Sequence, residues 1–164
     1  MNPKLSEQFF VRDNEEKDFG VLIDLTYRCA LECPRCQRQE FFRDHGEKVW
    51  GEDIPLDTIE KATDTFKAIN FGGQLSDPIH HPNFIEILKL CYEKGVQANV
   101  QTASTGKPKS WFIKAFEANP NARWQFGIDG LPEESHKYRV NQDGQKLFDI
   151  MCEAKNYLNK TPRW

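Results

Sequence analysis

Residues 24–39 read DLTYRCALECPRCQRQ, and the meaning of that stretch decides the fold of the rest. It holds Cys29, Cys33 and Cys36, three of the chain's five cysteines, in a C-x3-C-x2-C pattern. Three physical readings compete. Positions i, i+4 and i+7 share one face of a helix, so the cysteines could be small core residues of an amphipathic helix. Against that, Pro34 lies inside the stretch and would cost about 3 kcal/mol in a helix interior. Arg28, Glu32, Arg35 and Arg38 also surround the thiols with charge. A structural zinc site wants four ligands, typically one C-x2-C and a second Cys or His pair. Only His45 is nearby, and Cys91 and Cys152 fall on helical stripes as ordinary core thiols. An iron–sulfur cubane usually takes four cysteines. With three, one iron keeps an open coordination position that can hold a small molecule.

Composition narrows the setting. The net charge is −3 with no long basic run, which weighs against nucleic acid as the main partner. MNPKLSEQFFVRDNEEKD, at the N-terminus, lacks the apolar core of a signal peptide. No stretch approaches the about 18 consecutive apolar residues of a membrane span. A cytoplasmic location is expected, where thiols stay reduced and a cysteine cluster reads as metal-binding or catalytic before disulfide.

Outward from the cysteines, strand and helix patterns alternate. GVLIDLTY (20–27) carries a continuous apolar run suited to a buried strand, and the polar residues 37–55 read as a loop. LDTIEKATDTFKAI (56–69) has helical spacing, with Asp57 and Glu60 as a capping box. INFGG (69–73) reads as a short strand ending in glycines, and PNFIEILKLCYEK as a helix opened by Pro82 and closed by Gly95. VQANVQTA (96–103) alternates, placing Val96, Ala98 and Val100 on one face. WFIKAFEA, capped by Ser110, is the next helix. RWQFGIDG (123–130) alternates again, and GQKLFDIMCEAKNYL closes the series as a helix. Four strand–helix units predict an α/β fold with a parallel sheet, a partial (β/α) barrel of about four units. Residues 1–19 are an N-terminal extension and 20–164 the core domain. The chain stops at KTPRW, where a fifth strand is due, so strand four is expected to present an unpaired edge. A second polypeptide or self-association would complete the barrel.

C-x3-C-x2-C directly after the first strand of a βα series resembles the radical S-adenosylmethionine (SAM) superfamily, over nearly all of residues 20–164. The resemblance implies a [4Fe–4S] cluster on Cys29, Cys33 and Cys36 whose open iron chelates SAM. It further implies reductive cleavage to a 5′-deoxyadenosyl radical, driven by an external one-electron reductant of the flavodoxin or ferredoxin type. FGGQLSDPIHHPNF (71–84) resembles the family's Gly-Gly-Glu segment, so Gly72, Gly73 and Gln74 are expected to receive the SAM amino group. QTASTG (101–106) stands where the family has its Thr-Asn-Gly turn. FGIDGLPEESHKYRV (126–140) resembles its SIDG segment, making Asp129 a ribose contact and Arg139 a carboxylate partner.

The departures are specific. Arg35 stands where the family has an aromatic residue, and a guanidinium can stack on a base instead. Gln74 replaces the acidic residue, leaving Asp77 to supply a carboxylate, and Ala103 replaces an asparagine. The chain also ends before strands five and six, which carry further SAM contacts in that family. A non-catalytic iron–sulfur or zinc-binding module is therefore the rival expectation, and no substrate is legible.

Overall fold

The computed structural model describes residues 20–164; the expected extension, 1–19, lies outside the described residues. Strand β1 (Gly20–Ile23) leads through the cysteine loop into helix α1 (Gln37–His45). Then follow α2 (Leu56–Thr65), β2 (Ala68–Phe71), α3 (Phe84–Glu93), β3 (Gln97–Thr102), α4 (Lys109–Ala118), β4 (Arg123–Phe126) and α5 (Gly144–Ala154). Short 3-10 turns at Pro78–His80 and Pro132–Lys137 follow β2 and β4. The four strands pair in sequential order, β1-β2-β3-β4, and every pairing is parallel. None of the helices described is long and apolar enough to cross a membrane.

Alternation along the strands builds the core. Ile69, Phe71, Ala98, Val100, Trp124 and Phe126 are buried in one cluster with apolar residues of α2 to α5. Strand side chains point alternately to opposite faces, so the intervening Asn70, Asn99, Gln101, Arg123 and Gln125 stand on the other face. Trp124 anchors the cluster, edge-on to Phe84 and Phe116 and stacked on Phe126.

Several expectations are corrected. Residues 37–45 form a helix with no buried residue. Their polarity suggested a loop, but Gln, Arg and Glu are good helix formers, and Gly46 ends the helix in the left-handed conformation. The capping box at Asp57 does not form: Pro55 is the N-cap of α2, and Asp57 Oδ1 accepts from the Thr58 N–H. Phe66 ends that helix and Ile69 belongs to β2, so the helix is one turn shorter than its apolar spacing predicts. Cys91 is buried as expected, but Cys152 is exposed.

The edge of β4 is also not bare. Arg163 lies parallel beside Gln125, with Phe126 N–H donating to Arg163 O at 2.7 Å and Arg163 N–H to Trp124 O at 2.9 Å. The backbone after α5 thus begins a fifth strand position.

Candidate functional site

The loops leaving the C-terminal ends of β1 to β4 meet around a cavity of about 350 Å³. Cys29, Cys33 and Cys36 form one wall; Gly73, Gln74 and Asp77 form another; Ala103, Gly127 and Arg139 contribute from the loops after β3 and β4. Segments far apart in sequence therefore converge on one place.

The cysteines do not lie on a helix. Residues 29–36 form an irregular loop with a turn, and α1 begins only at Gln37. That removes the core-helix reading of their spacing. The loop is held from two sides: Asp77 N–H donates to Arg28 O at 2.9 Å, and Glu32 N–H to Val140 O at 3.1 Å. Within it, Cys36 N–H closes on Cys33 O, and Arg38 Nη1 reaches Cys29 O at 3.3 Å. Cys36 is the N-cap of α1, but its side chain makes no capping bond and faces the Gln74 carbonyl oxygen at 4.0 Å.

Burial pushes the Cys29 thiol up to about 11, reinforced by the nearby Asp77 carboxylate. Burial also raises Cys33, while the Arg139 guanidinium opposes it. Without a metal, these two thiols keep their protons at neutral pH, and ligation must displace them.

The cavity wall is rich in thiol donors and in positive charge. Three free thiols line the cavity, and Arg35, Arg38 and Arg139 supply positive charge beside them. Arg38 Nε is buried without a hydrogen-bond partner among the described residues. No three His, Cys, Asp or Glu side chains among the described residues close on one point, as a single ion requires.

The second wall is less open than its sequence suggests. A Cβ on Gly73 would overlap the Ser76 carbonyl, so this glycine serves a tight turn. Gly72 does not line the cavity; a Cβ there would press on the Gln101 side chain at 3.1 Å. The buried Asp77 carboxylate is already occupied. It accepts from Thr102 Oγ1 at 2.8 Å, from Ala103 N–H at 2.9 Å and from Ser104 N–H at 3.0 Å. Burial pushes its carboxyl above the usual range, and these donors pull against that shift. Asp77 thus latches the loop after β2 to the end of β3.

Asp129 is likewise engaged. Its carboxylate forms an ion pair with Arg139 and does not itself line the cavity. Of the residues expected at the site, the cavity gathers Cys29, Cys33, Cys36, Gly73, Gln74, Asp77, Arg35 and Arg139, but not Gly72 or Asp129.

Two positioning residues escaped the sequence reading. Asp24, just past β1, accepts from Gln74 N–H at 3.2 Å and Ser76 Oγ at 2.5 Å, fixing the glycine turn. Buried Gln142 donates to Ala103 O and Gly127 O, both at 2.7 Å, and ties the loops after β3 and β4 together. Neither carries a local signal, because each acts on partners 15 to 52 residues away.

No protein-family model matches the chain, and no curated protein matches it.

Proposed function

We propose that the chain is a radical SAM enzyme, or the N-terminal half of one, with a [4Fe–4S] cluster on Cys29, Cys33 and Cys36. The observation that carries this reading is the meeting of these free thiols with the glycine turn after β2 in one cavity at the C-terminal ends of parallel strands. Active sites of βα barrels lie at that end. Sequential strand order further suits a barrel, whereas a doubly wound sheet reverses its order at a switch point.

When bound, the cluster would supply the electron, drawn from a flavodoxin or ferredoxin type donor, that cleaves SAM to methionine and a 5′-deoxyadenosyl radical. The chain's own residues bind and orient. Gln74, whose backbone carbonyl faces Cys36 and whose side chain is exposed at the cavity, would accept from an ammonium group, and Arg139, already paired with Asp129, would hold positive charge near Cys33. A second polypeptide or a second copy would continue the sheet beyond β4 toward a barrel, and the location would be cytoplasmic.

The test is anaerobic reconstitution of the wild-type chain and of Cys29→Ala, Cys33→Ala and Cys36→Ala. Iron and sulfide should be taken up together by the wild type and lost in each variant, and reduced wild type should release 5′-deoxyadenosine from SAM. Uptake unchanged in all three variants would remove the proposal.

A second reading, a non-catalytic cluster or zinc-binding module, is favoured by one observation. Asp77 and Asp129 both spend their carboxylates inside the protein, so neither is open to SAM. That reading predicts metal uptake with no SAM cleavage.

A further inference from the structure

The sheet face turned away from the helix-packed core holds a second cavity, of about 700 Å³. Asn70, Asn99 and Arg123 stand in one register row across β2, β3 and β4, with Gln101 beside Gln125 in the row nearer the cysteines. Asn99 Nδ2 donates to Asn70 Oδ1 at 2.9 Å, so this pair is ordered. Lys160 and Arg163 extend the surface beyond β4.

Two features identify what this face suits. Its charge is one-sided: Arg123, Lys160 and Arg163 line the cavity and no Asp or Glu among the described residues does, in a chain of net charge −3. The three cations are exposed, and none meets a carboxylate among the described residues. Between them lie side-chain amides, each offering both a donor and an acceptor. Inner faces of βα barrels are normally packed with branched apolar residues. An apolar cover here would strip the amides of partners. The matching ligand brings an oxyanion for the guanidiniums and amide groups of its own for Asn99, Gln101 and Gln125. The volume lies within the range of small-molecule sites, about 300–1,000 Å³.

The cavity joins the cysteine site, because Gln101 and Gln125 line both. We propose that this face binds the substrate of that site, and that the substrate is a small carboxylate-bearing, amide-rich molecule of the short-peptide class. The word substrate rests on the radical SAM reading, but binding itself needs neither cluster nor SAM.

The experiment is a nitrogen-15 NMR titration of the whole chain with acetyl-triglycine, with its C-terminal amide and with inorganic phosphate. Acetyl-triglycine should shift the backbone amides of Gln101, Gln125 and Arg163 saturably. Loss of its carboxylate, or Arg123→Gln in the protein, should weaken binding about tenfold; the variant's own spectrum reports that it is folded. Phosphate binding as well as the peptide would reduce the face to a general anion site and overturn the peptide class. No saturable shift, or shifts that follow protein concentration alone, would overturn the proposal, the latter by showing a second copy on this face. Cluster assembly is measured separately, so a failure here leaves the radical SAM reading standing, and its failure leaves this binding measurable.

Discussion

The two faces of the sheet obey different rules. On one, Ile69, Phe71, Ala98, Val100, Trp124 and Phe126 are closed against helices. On the other, the residues between them are Asn70, Asn99, Gln101, Arg123 and Gln125, and the last three are exposed. Parallel sheets are usually covered on both faces and read as continuous apolar runs. Here β3 and β4 alternate as half-solvated antiparallel strands do. Stability therefore resides on the helix side, and the polar side contributes little to it.

Neighbouring positions on β4 offer the hardest test of that division. Trp124→Ala should cost about 3–5 kcal/mol through the cavity left in the aromatic cluster, while Arg123→Ala should change stability by less than about 0.5 kcal/mol. Urea unfolding of both variants measures the contrast. Comparable losses would mean that the polar face is packed too.

A smaller effect separates the turn after β2 from the open surface around it. Gly73→Ala must push the Ser76 carbonyl aside, at about 1–3 kcal/mol. Asp77→Asn turns an acceptor into a donor facing the Ala103 and Ser104 N–H groups, at about 1–3 kcal/mol. Gln74→Ala, with its exposed side chain, should be nearly neutral. A Gln74→Ala variant as unstable as Asp77→Asn would refute the latch assigned to Asp77.

The smallest effect at neutral pH concerns the two cysteines outside the cluster. Exposed Cys152 should be alkylated in the folded protein, while Cys91 should react only on unfolding. Burial pushes the Cys91 thiol from 9.0 up to about 12, so the folded chain keeps a proton that the unfolded chain releases. Its contribution to stability is complete below pH 9 and is lost as pH rises toward about 12. Cys91→Ala should lack that part of the alkaline decline, and an identical decline in both proteins would count against a buried thiol.

Much of this architecture was legible because it is written in short-range patterns. Alternation placed Val96, Ala98, Val100, Trp124 and Phe126 on the buried face, and the cysteine spacing located the loop that lines the cavity. Helix α1 was missed because it buries nothing, so no periodic stripe marks it. Cys152 was misjudged because it falls beside the stripe of Leu147, Ile150 and Ala154 rather than on it. The roles of Asp24, Asp77 and Gln142 were not legible at all. Each depends on backbone N–H or C=O groups brought close only by the folded loops, and sequence does not announce a backbone partner. For the same reason Asp77 and Asp129, chosen as open carboxylates, are occupied within the protein.

The most direct test of the central proposal is electron paramagnetic resonance of the reconstituted, reduced protein, recorded with and without SAM. The account predicts a [4Fe–4S]⁺ signal that Cys29→Ala abolishes and whose shape changes when SAM is added, because the iron without a cysteine takes the ligand. A cluster signal indifferent to SAM would contradict the enzyme reading and leave a binding module. Absence of any cluster signal in the wild type would contradict the metal site itself.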